Sequence, residues 1–189
     1  MGYGTSYILH IQVSYRMRVL ITGRPGIGKT TVVRKAISRL SGFCGGFYTE
    51  EIREGGKRVG FRIQALDGRT GILAHRRGKG TFFVKDKKTE YMINLKDLDD
   101  VASDALEKAV ASSGIVVVDE IGHMELFSDR FKAAVLKVFE SEKPVLATIS
   151  KYGGDFEESL KLREDVKVLE IDEENRDKAV DEVIRLLRG

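Results

Sequence analysis

Several residue types and patterns are scarce in this sequence, and two of these shortages exclude a class of site or protein. One cysteine, Cys44, among 189 residues excludes an intramolecular disulfide and any metal site built from several thiolates. Proline occurs twice, tryptophan is absent, and there is no low-complexity tract or internal repeat. No apolar run approaches the roughly 18 residues that a membrane helix needs. We therefore expect a soluble, cytoplasmic protein that does not enter a membrane.

An excess of one charge sign is also lacking. Lys and Arg total 32 against 29 Asp and Glu, a formal charge of +3, which is too small to indicate nucleic-acid binding by itself. Nucleic acid stays open as a less favoured partner. Charged residues make up 32% of the chain while Asn and Gln are few, a balance that favours a thermophilic source. The length suits one α/β domain, and we expect a monomer.

The first 16 residues form an extension whose status the sequence leaves open. They contain no basic residue before Arg16, which argues against a secretory signal. Apolar and polar residues alternate from Tyr7 to Tyr15, a pattern that predicts an edge strand. A second methionine, Met17, begins the main domain, which we assign to residues 17–189.

From Met17 the chain predicts strands alternating with helices. A strand over Met17–Thr22, a glycine-rich loop and a helix over Thr30–Leu40 make the first βα unit. Further strands are predicted over Phe43–Glu50, Lys57–Ala65 and Thr70–His75. The last three are joined by Glu54-Gly55-Gly56 and Asp67-Gly68, which are hairpin signals, so we expect an antiparallel excursion here. The basic residues 76–90 are predicted to form an exposed loop.

The second half continues the α/β alternation. A helix is predicted over Leu98–Ala111, and the strand Ile115–Val118 is apolar on both faces, as in the centre of a covered parallel sheet. The remaining predicted elements are a helix over 125–140, a strand over 144–149, a helix over 155–162, a strand over 166–171 and a last helix to Leu187. The expected fold is a mostly parallel sheet with helices on both faces.

The strongest motif fits G-x-x-x-x-G-K-[ST] between a strand and a helix. Such a loop points successive backbone N–H groups at an anion, and the following helix directs its positive end there. Lys29 is then expected to bridge the β- and γ-phosphates, and Thr30 to place its hydroxyl on Mg²⁺. The motif and the residue after it are Gly23, Arg24, Pro25, Gly26, Ile27, Gly28, Lys29, Thr30 and Thr31.

Two adjacent acids follow the central apolar strand. Since the carboxyl ends of parallel strands face the ligand crevice, Asp119 and Glu120 should point towards the bound phosphates. Asp119 fits the acid that holds Mg²⁺ through its water shell. Glu120 fits the base that orients and polarises water for attack on the γ-phosphate.

Other polar residues near these acids have ordinary structural explanations, and some also have a functional one. His123 either contacts the phosphates or is an ordinary loop histidine. Glu125 lies near a predicted helix N-terminus, where the helix dipole favours an acid. Thr148 and Ser150 end the next strand, where a hydroxyl either senses the γ-phosphate or satisfies the backbone.

Two further segments are weaker candidates. His75-Arg76-Arg77-Gly78-Lys79-Gly80 could fold over the nucleotide as a lid and supply an arginine, although solvated basic loops are common. The same segment lacks the interleaved aromatic residues of nucleic-acid binders. Asn175 and Arg176 follow three acids near the last helix, where capping explains the acids and contact with a base is the alternative.

Together these segments resemble a known family. GRPGIGKTT, GGFYTEEIREGGKRVGFRIQALDGRTGILA, VVVDEIGHMELFS, PVLATIS and EENRD are similar to the P-loop nucleoside-triphosphatases first described in thermophiles, which include the vertebrate cancer-related nucleoside triphosphatases. The resemblance implies a RecA-like α/β fold and Mg²⁺-dependent hydrolysis of nucleoside triphosphates with broad base tolerance. It also implies a second nucleotide-binding segment, formed by Val116, Val117, Val118, Asp119, Glu120, Ile121, Gly122 and His123.

Two other functions use the same motifs. A nucleoside or polynucleotide kinase would place a second substrate where the water goes, with Glu120 or Asp119 activating its hydroxyl. A nucleotide-dependent switch would turn over slowly and be read by a partner. No Asn-Lys-x-Asp guanine reader is present, which disfavours a guanine-specific switch. Hydrolysis, with Glu120 and Lys29 as the catalytic residues, is the favoured interpretation.

Overall fold

The computed structural model describes residues 17–40, 44–78, 80, 82–86 and 89–188. The edge strand predicted over residues 7–15 lies outside these ranges, as does Lys79 of the basic segment. Within the described part of the chain, no helix combines the length and the apolar character needed to cross a membrane.

The strands and helices alternate along the chain as the hydrophobic pattern predicts. The strands are β1 (Arg18–Thr22), β2 (Cys44–Glu54), β3 (Lys57–Ala65), β4 (Thr70–His75), β5 (Phe82–Asp86), β6 (Thr89–Ile93), β7 (Ile115–Ile121), β8 (Val145–Ile149) and β9 (Val166–Glu170). The helices are α1 (Lys29–Leu40), α2 (Leu95–Asp97), α3 (Asp104–Ser112), α4 (Asp129–Glu140), α5 (Asp155–Lys161) and α6 (Ala179–Arg188). A π-helical turn over Leu98–Ser103 joins α2 to α3, and a short 3-10 helix covers Glu125–Phe127.

All described strands belong to one sheet with the order β5-β6-β4-β3-β2-β7-β8-β1-β9. One half of the sheet consists of β2, β7, β8, β1 and β9, which lie side by side in this order with each adjacent pair parallel. In the core of this half, Ala147 of β8 lies opposite Leu20 of β1 on one side and Val118 of β7 on the other. The carboxyl ends of β1, β7 and β8 therefore meet at one edge, with β8 in the middle.

Helices cover both faces of the parallel half. One core packs Val33 of α1 and Val183 of α6 against Val19 and Val117 of the sheet. The other packs Leu106 of α3 and Phe131 of α4 against Val116. Fully burying an aliphatic or aromatic side chain contributes roughly 1.5–3 kcal/mol, so these two cores are the main stabilising layers. The predicted α/β architecture is confirmed.

The antiparallel excursion is larger than the sequence predicts. The strands β3, β4, β6 and β5 continue the sheet beyond β2 in antiparallel pairs. The prediction of a loop over residues 76–90 is wrong in its second part, because β5 and β6 occupy residues 82–86 and 89–93. Val84, Tyr91 and Ile93 are buried in the core on the α3 side, and the many charged residues around them hide this short alternation.

Three predicted boundaries also change. The helix expected from Leu98 begins at Leu95, where the side chain of Asn94 accepts a hydrogen bond from the Asp97 N–H. The last helix begins at Ala179, after the turn that holds Asn175. The strand expected to end at Val118 continues to Ile121, because Ile121 pairs with Ile149 of β8. Asp119 and Glu120 are therefore held inside a strand.

Candidate active site

The glycine-rich loop connects β1 to α1, and its shape depends on glycine. Gly26 and Gly28 have φ values of 82° and 111°, which side chains rarely adopt. At Gly23 an added Cβ would lie 2.6 Å from the Ile171 carbonyl oxygen, so this position also lacks space. The helix starts at Lys29, and the amides of its first turn have no partners within the helix. They can therefore bind an anion.

Lys29 lies between the start of this loop and the acid pair. Its side chain is nearly buried, and its Nζ atom is 3.4 Å from the Gly23 carbonyl oxygen. The same atom is 3.7 Å from Oε2 of Glu120. The ammonium group thus faces both the loop and the carboxylate.

Asp119 is fully buried at a point where three elements meet. The Thr148 hydroxyl of β8 donates to its Oδ1 over 2.6 Å, and the backbone N–H of Thr49 in β2 donates to Oδ2 over 3.5 Å. The Thr30 side chain of α1 also hydrogen-bonds with this carboxyl group. Burial raises the pKa of Asp119, and these hydrogen bonds and the Lys29 charge oppose the rise. The structure therefore brings together the two residues predicted to hold Mg²⁺, Thr30 and Asp119.

Glu120 is more accessible than its neighbour. Its side chain is 30% exposed, and its Oε1 lies 3.5 Å from the Ser150 hydroxyl, which donates to it. Burial raises the pKa of Glu120, the Lys29 ammonium opposes the rise, and the Asp119 carboxylate adds to it. A carboxylate so placed can contact a ligand bound over the glycine-rich loop.

Glu125 is a third acid at this site, and its burial was not predicted. It lies in the first turn of the short 3-10 helix, in agreement with the predicted position near a helix N-terminus, but it is only 5% exposed. Burial, followed by repulsion from Glu120 and Asp119, raises the pKa of Glu125 to about 8. Its neighbours Met124, Leu126 and Phe127 pack against the core. An acid inside an apolar run was the signal that could have indicated burial.

Some of the other candidates near the acid pair contact the acids, and the rest do not. Thr148 and Ser150 do contact the acids, as donors to Asp119 and Glu120, a role that neither sequence interpretation included. His123 is exposed, and its ring packs edge-on against Phe127 at 5.2 Å between centroids. The side chains of Val116, Val117, Val118 and Ile121 are fully buried in the core. These four residues therefore position the segment instead of facing a ligand.

The basic segment and the turn before α6 lie around the same edge. Since β4 is antiparallel to β3 and β3 to β2, β4 ends at the edge where Glu120 lies. Arg76 and Arg77 follow it and are exposed. On the other side, Arg24 of the glycine-rich loop forms an ion pair with Glu173. Asn175 closes that turn by accepting from the Asp172 N–H and donating to the Glu170 carbonyl.

Comparison with known proteins gives consistent matches over almost the whole described chain. A family model described as NTPase matches residues 18–184. The Nucleoside-triphosphatase THEP1 of Thermotoga maritima is 47% identical over 172 residues, covering 91% of this chain and 96% of the relative. The protein of the same name from Methanocaldococcus jannaschii is 38% identical, covering 92% and 99%.

Solved structures show the same architecture. The crystal structure of THEP1 from the hyperthermophile Aquifex aeolicus has a TM-score of 0.82 and 31% identity, covering 92% of this chain and all of that one. The solution structure of a human cancer-related nucleoside triphosphatase has a TM-score of 0.73 and 35% identity, covering 89% and 96%.

Proposed function

The chain belongs to the NTPase family, and from this premise we propose that it hydrolyses nucleoside triphosphates, including ATP and GTP, to the diphosphate and phosphate with Mg²⁺. The observation that carries this proposal is the pair formed by Lys29 and Glu120, 3.7 Å apart beside the glycine-rich loop. The ammonium group can bind the phosphates, and the carboxylate beside it can accept a proton from water.

Phosphate binding is assigned to the loop and Lys29. The loop precedes the N-terminus of α1, where backbone amides and the helix dipole favour an anion. The Lys29 ammonium adds a full positive charge at the same place and is held by the Gly23 carbonyl. These contacts use only the phosphates, so they are compatible with tolerance for different bases.

The residues present fit Mg²⁺, which prefers oxygen ligands. The Thr30 hydroxyl and the Asp119 carboxylate are hydrogen-bonded to each other, so two groups whose oxygen atoms can bind Mg²⁺ already lie together. Among the described residues there is no group of three or more His, Cys, Asp or Glu side chains that could hold a metal ion. The remaining ligands would thus come from the nucleotide and water. A bound Mg²⁺ would neutralise charge on the phosphates.

Glu120 is the acceptor for the attacking water. The water oxygen forms a bond to the γ-phosphorus, and the bond from that phosphorus to the β,γ-bridging oxygen breaks. The diphosphate leaves with that electron pair, and the Glu120 carboxylate receives a proton of the water. Glu120 suits this role because it is partly exposed beside Lys29, whereas the buried Asp119 already accepts a hydrogen bond from the Thr148 hydroxyl.

Phosphate release from ATP, GTP, CTP and UTP with Mg²⁺, and without any second substrate, tests the proposal. Glu120→Gln should bind nucleotide and lose turnover, and Lys29→Ala should lose binding. Glu164→Gln and Lys167→Ala are matched controls, since both residues are exposed and lie at the amino end of β9, on the opposite edge. Full turnover in the Glu120→Gln variant would refute the assignment. Tight binding without release by the unmodified protein would favour a kinase or a switch.

A further inference from the structure

Three polar groups converge on Gly122, the residue that follows β7. An added Cβ at this position would lie 3.1 Å from Oε2 of Glu125 and 3.3 Å from Oε1 of Glu120. The Ser150 hydroxyl would also be 3.3 Å away. Because glycine has no side chain here, the two carboxyl groups and the hydroxyl can approach one another.

The Glu125 side chain is folded back over the turn that begins at Gly122. Its carboxyl group accepts hydrogen bonds from the Gly122 N–H and from its own N–H. The Leu126 N–H donates to the Gly122 carbonyl over 3.1 Å, which closes the same turn. Glu125 is therefore fixed in position relative to the end of β7, only five residues after Glu120.

The charges around Glu125 favour a neutral carboxyl group. Glu120 and Asp119 face it with negative charge, and the nearby ammonium of Lys29 is directed at Glu120. Burial and these two acids raise the pKa of Glu125 to about 8, so at neutral pH it holds a proton. A protonated carboxyl group is a hydrogen-bond donor.

We propose that Glu125 is a positioning residue that holds the Glu120 carboxylate in its working orientation as a neutral hydrogen-bond donor. This inference rests on the proposed role of Glu120. The contacts that the structure gives Glu120 are long, 3.5 Å to Ser150 and 3.7 Å to Lys29, and Lys29 also binds the phosphates in the proposed function. A neutral donor orients a carboxylate and leaves its negative charge in place, whereas a second cation would neutralise that charge.

Steady-state kinetics of Glu125→Ala and Glu125→Gln with Mg²⁺ and ATP test this role. Glu125→Ala should lower kcat by about 10- to 100-fold and leave KM within about threefold, because orientation is lost and the phosphate loop is untouched. Glu125→Gln should restore kcat to within about threefold of the unmodified protein, since an amide is also a neutral donor. Glu164→Ala is the control. A Gln variant as slow as the Ala variant, or an Ala variant with normal kcat, would overturn the proposal.

A double variant separates this proposal from the assignment of Glu120. If Glu125 acts through Glu120, Glu120→Gln combined with Glu125→Ala should have the same kcat as Glu120→Gln alone. A further loss of about fivefold or more would overturn the positioning role. Full turnover in Glu120→Gln alone would instead refute the proposed function.

Gly122→Ala provides a test that removes no charge and no donor. The new methyl group would contact Glu125, Glu120 and Ser150 at 3.1–3.3 Å and push them apart. We expect kcat to fall by about 10-fold with KM for ATP little changed. This result supports the proposal even if Glu125→Ala does not fold, and an unchanged kcat contradicts it.

Discussion

The Thr148 hydroxyl donates to the buried Asp119 carboxylate over 2.6 Å, which links the strand next to the phosphate loop to the acid proposed to hold Mg²⁺. Thr148 lies on β8 and Asp119 on β7, and both side chains are fully buried. The bond therefore fixes the orientation of Asp119 from a strand that provides neither the loop nor the acid pair.

Replacing Thr148 by Val should weaken Mg²⁺ binding, because the Asp119 carboxylate loses the hydrogen bond that orients it. The substitution keeps the size of the side chain and removes the donor, so the Mg²⁺ concentration for half-maximal turnover should rise about 5- to 10-fold. The free energy of unfolding should fall by about 1–3 kcal/mol, because a buried carboxylate loses a donor. A Mg²⁺ titration and urea unfolding measure the two effects, with Thr70→Val at the exposed first residue of β4 as control. Unchanged Mg²⁺ dependence would contradict this prediction.

The raised pKa of Glu125 predicts a pH-dependent stability. The carboxyl group titrates near 4.5 in the unfolded chain and near 8 in the folded protein, so the folded state binds the proton more tightly. This contribution to the free energy of unfolding is complete below pH 4.5 and is lost as the pH rises towards 8. Its slope reaches at most about 1.4 kcal/mol per pH unit.

Glu125→Gln should flatten this dependence. Urea unfolding from pH 5 to 9 should give the variant a smaller loss of stability with rising pH than the unmodified protein, and at pH 9 the variant should be the more stable of the two. The loss that remains comes from Asp119 and Glu120, because burial raises the pKa of both. Glu164→Gln, an exposed acid, should keep the original slope. Parallel curves for Glu125→Gln and the unmodified protein would show that Glu125 is ionised when folded.

Gly23→Ala should destabilise the protein through both its backbone angle and its surroundings. Gly23 has a φ of 150°, and the Ile171 carbonyl that a Cβ would meet is held in place by the Ile171 N–H bond to Thr22. We expect the free energy of unfolding to fall by about 2–4 kcal/mol. Gly68→Ala is the control, since its φ of 94° is also positive but nothing lies within 4 Å of the added methyl group. Equal losses in the two variants would show that space is not limiting at Gly23.

Ser128→Ala should change stability without changing turnover. Its hydroxyl oxygen accepts from the Phe131 N–H over 2.9 Å at the start of α4, and the hydroxyl donates to Asp99 in the π-helical turn. Losing this cap should cost about 1–2 kcal/mol, with kcat within about twofold. Thermal unfolding and phosphate release measure both, and Ser38→Ala on the exposed face of α1 is the control. A large loss of kcat would mean that α4 helps to place the acids.

The sequence predicts local features of this protein well because their signals are local. The glycine-rich loop has its residues at fixed spacing between a strand and a helix, and the strands Lys57–Ala65 and Thr70–His75 have the predicted bounds. The resemblance to the P-loop nucleoside-triphosphatases is confirmed by the family match and the solved structures.

Contacts between distant residues were harder to predict. The Thr49 N–H meets Asp119, which is 70 residues away, and a backbone amide carries no signal in its residue type. The burial of Glu125 was missed because it depends on how the turn after β7 folds back. The β5–β6 hairpin was missed because its few buried residues alternate with charged ones that dominate the composition.

The order of the strands separates two regions of the sheet that can change independently. The phosphate loop and the acids lie around β1, β8 and β7, whereas β5 is at the far end, four strands beyond β2 and five beyond β7. A strand added or lost at the β5 end would leave every hydrogen bond between β1, β8 and β7 in place. A change in chain length at that end would therefore leave the candidate active site unaltered.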